Sequence, residues 1–330
     1  MQVLVTGADG FLGSNTVRRL IAAGHRVRGL VEPHSSASTL DGLEIETVSG
    51  DITISDDVRR AVRGCDAIVH AAGSTRTWPN RCETVRRINV EGTREVVEAA
   101  LDHGVKRLVY ISSASVFRGG TRAAPGDETR FVPAHEHSLG YIATKAEAHS
   151  VVEDAAERRG LPATIIAPTF MFGPFDVKPS SGQALLAIYH GVLPGLPPGG
   201  RNFVSVEDVA DAILRALERD ESGEAFIAGG TNLSYPELCE IVASMAPVRL
   251  HVPRVYPRVA IRLLGVLGSV GAAVTRRPPK LTVALADLAC RDQFYTNAKA
   301  RRRLGFEPRP IEKAVRDALA WFAEQGYMKR

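Results

Sequence analysis

"VTGADGFLG", residues 5–13, decides how the rest of the chain is read. It joins a short apolar run, "VLVT" (3–6), to the amphipathic stretch "LGSNTVRRLIAA" (12–23), and it sets Gly7, Gly10 and Gly13 three apart at the junction. A strand that turns directly into a helix brings backbone N–H groups to the helix N-terminus, where the macrodipole favours an anion. A Cβ there would hold a pyrophosphate off the backbone, and glycine lets it approach. Phe11 and Leu12 belong to the same contact segment. The spacing is G-x-x-G-x-x-G, not the commoner G-x-G-x-x-G. A glycine triplet alone is weak evidence, but at the head of a β-then-α pattern it points to a dinucleotide.

Beyond that turn, short β-branched runs alternate with amphipathic stretches. "RVRGLV" (26–31), "LEIETV" (43–48), "DAIVH" (66–70), "RLVYIS" (107–112) and "ATIIA" (163–167) read as strands, with helices over 85–102 and around Tyr141. Continuous apolar runs separated by crossover helices are the pattern of a parallel sheet covered on both faces. The expected fold is α/β, a doubly wound parallel Rossmann sheet with a smaller, discontinuous, mainly helical C-terminal substrate region. After Ala167 the chain turns rich in Pro and Gly, and "FVSVEDVADAILRALE" with "EAFIAGG" then supplies a helix and a strand able to rejoin the sheet. The dinucleotide-binding part is therefore assigned to 1–167 and 202–230, and the substrate part to 168–201 and 231–330.

Composition sets broad limits. The chain has 330 residues, 45% hydrophobic and 24% charged, enough for a large soluble core. Its four cysteines, Cys65, Cys82, Cys239 and Cys290, are too scattered for a metal knuckle or redox pair and read as reduced. The net charge of +4 hides an asymmetry: residues 249–330 hold 17 Lys/Arg against 6 Asp/Glu. No nucleic-acid motif accompanies them and aromatic residues do not interleave with them, so they read as a solvated basic face. The first strand begins at Gln2, which leaves no room for a signal peptide and makes the cytoplasm the expected compartment.

About 20 residues past the glycines an acidic residue is expected to meet the adenosine ribose, and Glu32 occupies that place. No Arg or Lys lies between Val31 and Leu40 to hold a 2′-phosphate, and Asp9 adds negative charge, so NAD is favoured, with NADP left open. In "GYIATKAEAH" (140–149), Tyr141 and Lys145 stand one helical turn apart and share a face.

Together, Gly7-x-x-Gly10-x-x-Gly13 and Tyr141-x-x-x-Lys145 resemble the extended short-chain dehydrogenase/reductase superfamily, the NAD-dependent epimerase/dehydratase family. "SGDIT" (49–53) is similar to its adenine-contacting turn at Asp51 and Ile52, "VHAAG" (69–73) to its cofactor-lining strand end, and "NVEGTREVVEAA" (89–100) to its central helix. "YISSASVF" (110–117) is similar to its catalytic serine strand. The resemblance implies that Tyr141 is the general acid/base, that Lys145 lowers its pKa and holds the nicotinamide ribose, and that Ser113 hydrogen-bonds the substrate oxygen. Ser112 competes with Ser113 for that role. Cofactor contacts are further implied for Ala71, Ala72, Gly73, Asn89, Pro168 and Phe170.

Sugar-nucleotide epimerases and dehydratases share this frame. Where those usually carry Arg and Asn, "APTFMFGPFD" (167–176) has Ala167 and Phe170, which favours a less polar substrate and resembles the dihydroflavonol-4-reductase and 3-beta-hydroxysteroid dehydrogenase group. Arg201 keeps an anionic substrate open. The expected activity is hydride transfer between nicotinamide and a ketone or secondary alcohol, with the sugar-nucleotide enzymes as the alternative. His135 and His137 read as loop or substrate contacts, and no metal is expected. "VAIRLLGVLGSVGAAVT" (259–275) reads as a lid or pocket helix, or alternatively as a membrane-surface patch beside Arg276, Arg277 and Lys280. Helices 85–102 and 141–158 suggest a homodimer.

Overall fold

The computed structural model describes residues 1–219, 222–246, 251–279 and 281–328, so Lys280, Arg249, Lys329 and Arg330 of the basic stretch lie outside the described residues. In chain order the described strands are β1 (Gln2–Thr6), β2 (Arg26–Val31), β3 (Glu46–Ser49), β4 (Ala67–His70), β5 (Arg107–Ile111), β6 (Ala163–Pro168), β7 (Phe170–Phe172), β8 (Gly200–Ser205), β9 (Glu224–Ala228), β10 (Thr231–Ser234) and β11 (Asp292–Gln293). Seven of them form one all-parallel sheet in the order β3-β2-β1-β4-β5-β6-β9. The strand order reverses between β1 and β4, and a doubly wound sheet opens its ligand crevice at that point, outside the carboxyl ends of the strands.

The helices are α1 (Phe11–Ala22), α2 (Ser55–Val62), α3 (Glu83–Arg86), α4 (Gly92–Asp102), α5 (Gly140–Arg159), α6 (Gly182–Tyr189), α7 (Val206–Glu218), α8 (Tyr235–Met245), α9 (Arg258–Thr275), α10 (Val283–Ala289), α11 (Ala298–Leu304) and α12 (Ile311–Glu324). The period-two geometry of β1 sends its side chains into two separate cores. Val3 and Val5 pack with Leu12, Val17 and Leu20 of α1 and with Val209 and Ile213 of α7. Leu4, on the opposite face, packs with Val58 and Val62 of α2 and Val96 of α4. A strand buried on both sides has no polar alternation, which is why "VLVT" and "AIVH" read as continuous apolar runs.

Two features go beyond the sequence reading. Helix α2 was not placed from sequence; only Val58, Ala61 and Val62 of its eight residues are buried, too short a stripe to stand out. The smaller region also holds a second sheet, in which β8 pairs β10, β11 and β7, beside the expected helices. β7 and β11, three and two residues long, are below what period-two patterning resolves, and β8 and β10 do not alternate buried with exposed residues. The chain returns to the large sheet at Ser205, whose hydroxyl accepts a hydrogen bond from Glu207 N–H and caps α7. The stretch expected as a lid or pocket helix, 259–275, lines neither of the two cavities around Tyr141, and α9 turns Val259, Leu263, Leu267 and Val274 outward to solvent.

Candidate active site

At the β1–α1 turn, Gly7 adopts φ 63°, and a Cβ there would lie 2.8 Å from Ala72 Cα. A Cβ on Gly13 would lie 2.0 Å from the Gly7 carbonyl oxygen, so α1 can start this close to the strand only with glycine at that position. Gly10 is exposed, and α1 begins with neither a side-chain cap nor an acidic residue in its first turn. The first N–H groups of such a helix have no intrahelical partner and suit an anion. A cavity of about 420 Å³ covers this turn and is walled by Gly7, Gly10, Phe11, Leu12, Gly13, Ala71, Gly73, Asn89, Ser113, Tyr141, Lys145 and Pro168. These are twelve of the residues expected from sequence, and a dinucleotide fits their chemistry: small residues at the phosphate turn, polar ones at the far end.

That far end is built from β5 and α5. Lys145 is buried, and its Nζ donates to the Ile111 carbonyl at 2.5 Å and to the Tyr110 hydroxyl at 3.3 Å. Burial pulls the ammonium down from 10.5 to about 7. Tyr141 hydrogen-bonds Ser113, which lowers its pKa, but burial is the larger effect and the phenol lies above its ordinary value. This corrects the expectation that Lys145 lowers Tyr141. The ammonium is drawn to the end of β5 rather than to the phenol, and its own burial favours the neutral amine. Both competing serines line this cavity, but Ser112 is buried and bonded to His149 Nδ1 at 2.9 Å, whereas Ser113 hydrogen-bonds Tyr141 and also lines the adjoining cavity.

Asn89 sits in a π-helical turn, Arg87–Glu91, between α3 and α4. Such turns often mark functional positions because they re-aim one side chain. Here Asn89 accepts from Ser74 N–H at 2.7 Å and donates to the Ser74 carbonyl at 3.0 Å and the Thr144 hydroxyl at 2.9 Å. It therefore fixes the loop after β4 against the helix that carries Tyr141 and Lys145.

Five expected cofactor contacts stand elsewhere. Glu32 is exposed and outside the cavity, because its carbonyl starts a turn by accepting Ser35 N–H at 3.0 Å. The chain after that turn, Ser35 to Thr39, lines the cavity together with Asp9, whose carboxylate accepts the Ser35 hydroxyl. Asp51 spends one carboxylate oxygen on the N–H and hydroxyl of Thr53, each at 2.8 Å, while Ile52 is packed against Gly92. Ala72 lies behind the glycine turn, its N–H donating to Thr6 Oγ1 at 3.1 Å. Phe170 faces a second, adjoining cavity of about 570 Å³.

That second cavity shares Ser113, Tyr141, Pro168 and Phe11 with the first. Its wall includes Ile142, Phe170, Met171, Leu285 and Leu288, with Lys178 and Arg201 as cations. Arg201 Nε donates to Tyr235 Oη at 3.1 Å, and its guanidinium lies 5.1 Å from the Phe170 ring centroid. Asp9 is on the cavity wall, in keeping with its reading as negative charge near the cofactor, whereas Lys178 and Ser35 to Thr39 are not singled out by the sequence, because loop positions have no periodicity to flag them. His137 bonds the Val132 carbonyl at 3.0 Å, and among the described residues no three His, Cys, Asp or Glu side chains converge as metal ligands.

Residues 3–229 match the family model described as the NAD dependent epimerase/dehydratase family. The chain belongs to this family. Among curated members, it is 30% identical to a putative dihydroflavonol 4-reductase of Synechocystis sp., over 98% of this chain and 95% of that one. It is 31% identical to sterol demethylase protein B of Methylococcus capsulatus, over 99% of each. The crystal structure of gox2253 superposes with a TM-score of 0.88 at 35% identity, covering 99% of both chains. As an epimerase/dehydratase family member of the extended short-chain dehydrogenase/reductase type, the protein is an NAD(P)-dependent oxidoreductase acting on a small molecule. The family's cofactor matches the chemistry of the first cavity, and the second adjoins it at Tyr141.

Proposed function

We propose that the enzyme interconverts a ketone and a secondary alcohol on a largely apolar small molecule, with Tyr141 as general acid/base. The observation that carries this reading is the position of Ser113 and Tyr141 on the shared wall of the two cavities, with Phe170, Ile142, Leu285 and Leu288 on the substrate side. When bound, the nicotinamide supplies or accepts the hydride at carbon. In reduction the Tyr141 hydroxyl gives its proton to the carbonyl oxygen; in oxidation the phenolate takes the alcohol proton. The Ser113 hydroxyl donates to the same oxygen and disperses its developing charge. Lys145, from its place beside Ile111, holds the polar end of the cofactor cavity, and Asn89 positions α5.

The test is turnover of a panel of apolar ketones and secondary alcohols with added NADH, NADPH or their oxidised forms, together with the mass of any nucleotide released on denaturation. Reversible cofactor binding with turnover of the panel is the expected result. A tightly retained, near-stoichiometric NAD with epimerisation of a sugar nucleotide would overturn it. Arg201 on the cavity wall is the feature that favours this second reading, although Tyr235 and Phe170 already engage it.

For the nucleotide we favour NAD. The support is Asp9 on the cavity wall, since a carboxylate repels a 2′-phosphate. Asp9→Asn is expected to move the NADPH/NADH ratio of kcat/KM up by about tenfold, roughly 1.4 kcal/mol. Glu32→Arg, outside the cavity, should move it by no more than about threefold, as befits a solvent-screened charge. The reverse ranking would restore Glu32 as the discriminating residue. A homodimer through α4 and α5 is also part of this reading. The two helices lie side by side, joined by Arg159 of α5 with Glu98 of α4 at 2.5 Å, and Arg86 at the end of α3 pairs with Glu147 of α5 at 2.6 Å.

A further inference from the structure

Helix α9 presents its apolar residues on the wrong side for a surface helix of a soluble enzyme. Its inward stripe is small: Ile261, Gly265 and Ala272 are buried, and Gly265 and Gly268 bring α9 tightly onto the segment leading into α10. A Cβ on Gly265 would lie 2.9 Å from Ala286 Cβ, and one on Gly268 would lie 2.1 Å from the Leu281 carbonyl oxygen. The opposite face carries Val259, Leu263, Val266, Leu267, Val270 and Val274, spaced three and four apart along one side. Val259 and Val274 are 79% exposed and Leu267 is 60% exposed. An ordinary surface helix puts Lys, Glu and Gln there.

The charge around this face has one sign. Between Glu240 and Asp287 the sequence holds seven Lys/Arg and no acidic residue. Within the described part, Arg262 flanks the apolar face and Arg276 and Arg277 close its C-terminal end. Arg262 pairs with Asp287 at 3.5 Å. An aliphatic stripe rimmed by arginine suits an interface that is oily below and anionic above. A second copy of the chain suits it poorly, because a two-fold contact on this patch sets arginines against arginines.

We propose that the outward face of α9 docks on the surface of an anionic phospholipid bilayer. It lies in the interface and does not cross it: its 18 residues span about 27 Å, short of the ~30 Å hydrocarbon core, and its glycine face is held against the protein. The same docking brings the substrate cavity close to the lipid, because α10, beneath α9, lends Leu285 and Leu288 to the cavity wall. The docking itself stands independently of the substrate reading.

The test is flotation of the full chain with vesicles of phosphatidylcholine, with and without phosphatidylglycerol, read alongside its mass in solution. The wild type is expected to float with the anionic vesicles and to bind pure phosphatidylcholine several-fold less. The variant Leu263→Ser/Leu267→Ser/Val270→Ser should lose at least about tenfold in binding while its melting temperature holds, since all three side chains point to solvent. Arg276→Glu/Arg277→Glu should remove the preference for anionic lipid. The proposal is overturned if the triple variant binds like the wild type. It is equally overturned if the wild type stays with neither vesicle, or if the triple variant instead converts a dimer to a monomer. That last result would make a second copy the occupant.

Discussion

Tyr141→Phe is expected to cut kcat by roughly 10³–10⁴ while leaving cofactor affinity within about threefold of the wild type. The substitution removes one hydroxyl, and in the structure that hydroxyl bonds Ser113 on the wall shared by the two cavities. Burial holds the phenol above its ordinary pKa, so at neutral pH it is a protonated donor, the form reduction of a carbonyl requires. In the oxidative direction the same group must first lose its proton. The wild-type oxidation rate should therefore climb with pH well past neutrality, while the reduction rate should stay flat over that range. Ser113→Ala removes the weaker partner and should cost about 10²-fold, as for the loss of one hydrogen-bond donor to a developing oxyanion. Stopped-flow measurement of both directions, with nucleotide binding followed by fluorescence, checks all three. Residual turnover in Tyr141→Phe within tenfold of the wild type would remove Tyr141 from the reaction.

What could be read from the sequence follows from where each signal is stored. The large sheet was legible because its strands are buried on both faces and must be apolar throughout, as in "VLVT" and "AIVH". The glycine turn was legible because Gly7 and Gly13 are backbone necessities, with clashes of 2.8 and 2.0 Å awaiting any side chain. Tyr141 and Lys145 were legible because one helix carries both and fixes their spacing. Glu32 stands outside the cavity for the converse reason. Its distance from Gly13 is a count along a chain that bends after β2, and the bend takes Glu32 into solvent and lays Ser35 to Thr39 on the cavity. Asp51 also stands outside the cavity, with one carboxylate oxygen held by Thr53. The apolar run at 259–275 reads from sequence as a lid or pocket helix or as a membrane-surface patch, because hydropathy says that a stripe is oily and not which way it faces.

Lys145→Met separates what this lysine does for the reaction from what it costs the fold. Burial lowers its pKa from 10.5 to about 7, so between those values the unfolded chain carries a proton here that the native chain does not. Stability therefore rises with pH across that window, and below pH 7 the native state bears the whole cost of a buried ammonium, on the order of a few kcal/mol. The bond from Nζ to the Ile111 carbonyl offsets part of it, by about 1 kcal/mol. Methionine keeps the unbranched stem and drops the charge. The variant is thus expected to melt several degrees higher than the wild type at pH 6.5, with the difference shrinking steadily toward pH 10. Its kcat/KM should nevertheless fall by about 10² or more, since the polar end of the cofactor cavity has lost its cation. Parallel melting curves at half-unit pH steps read the difference between the two proteins and cancel every other titrating group. A difference that stays constant from pH 6.5 to 10 would show that burial does not perturb Lys145. A variant both less stable and less active at pH 6.5 would make the lysine a structural residue first. A rise in stability with a loss of turnover is the signature of a charge kept in the protein interior for its chemistry.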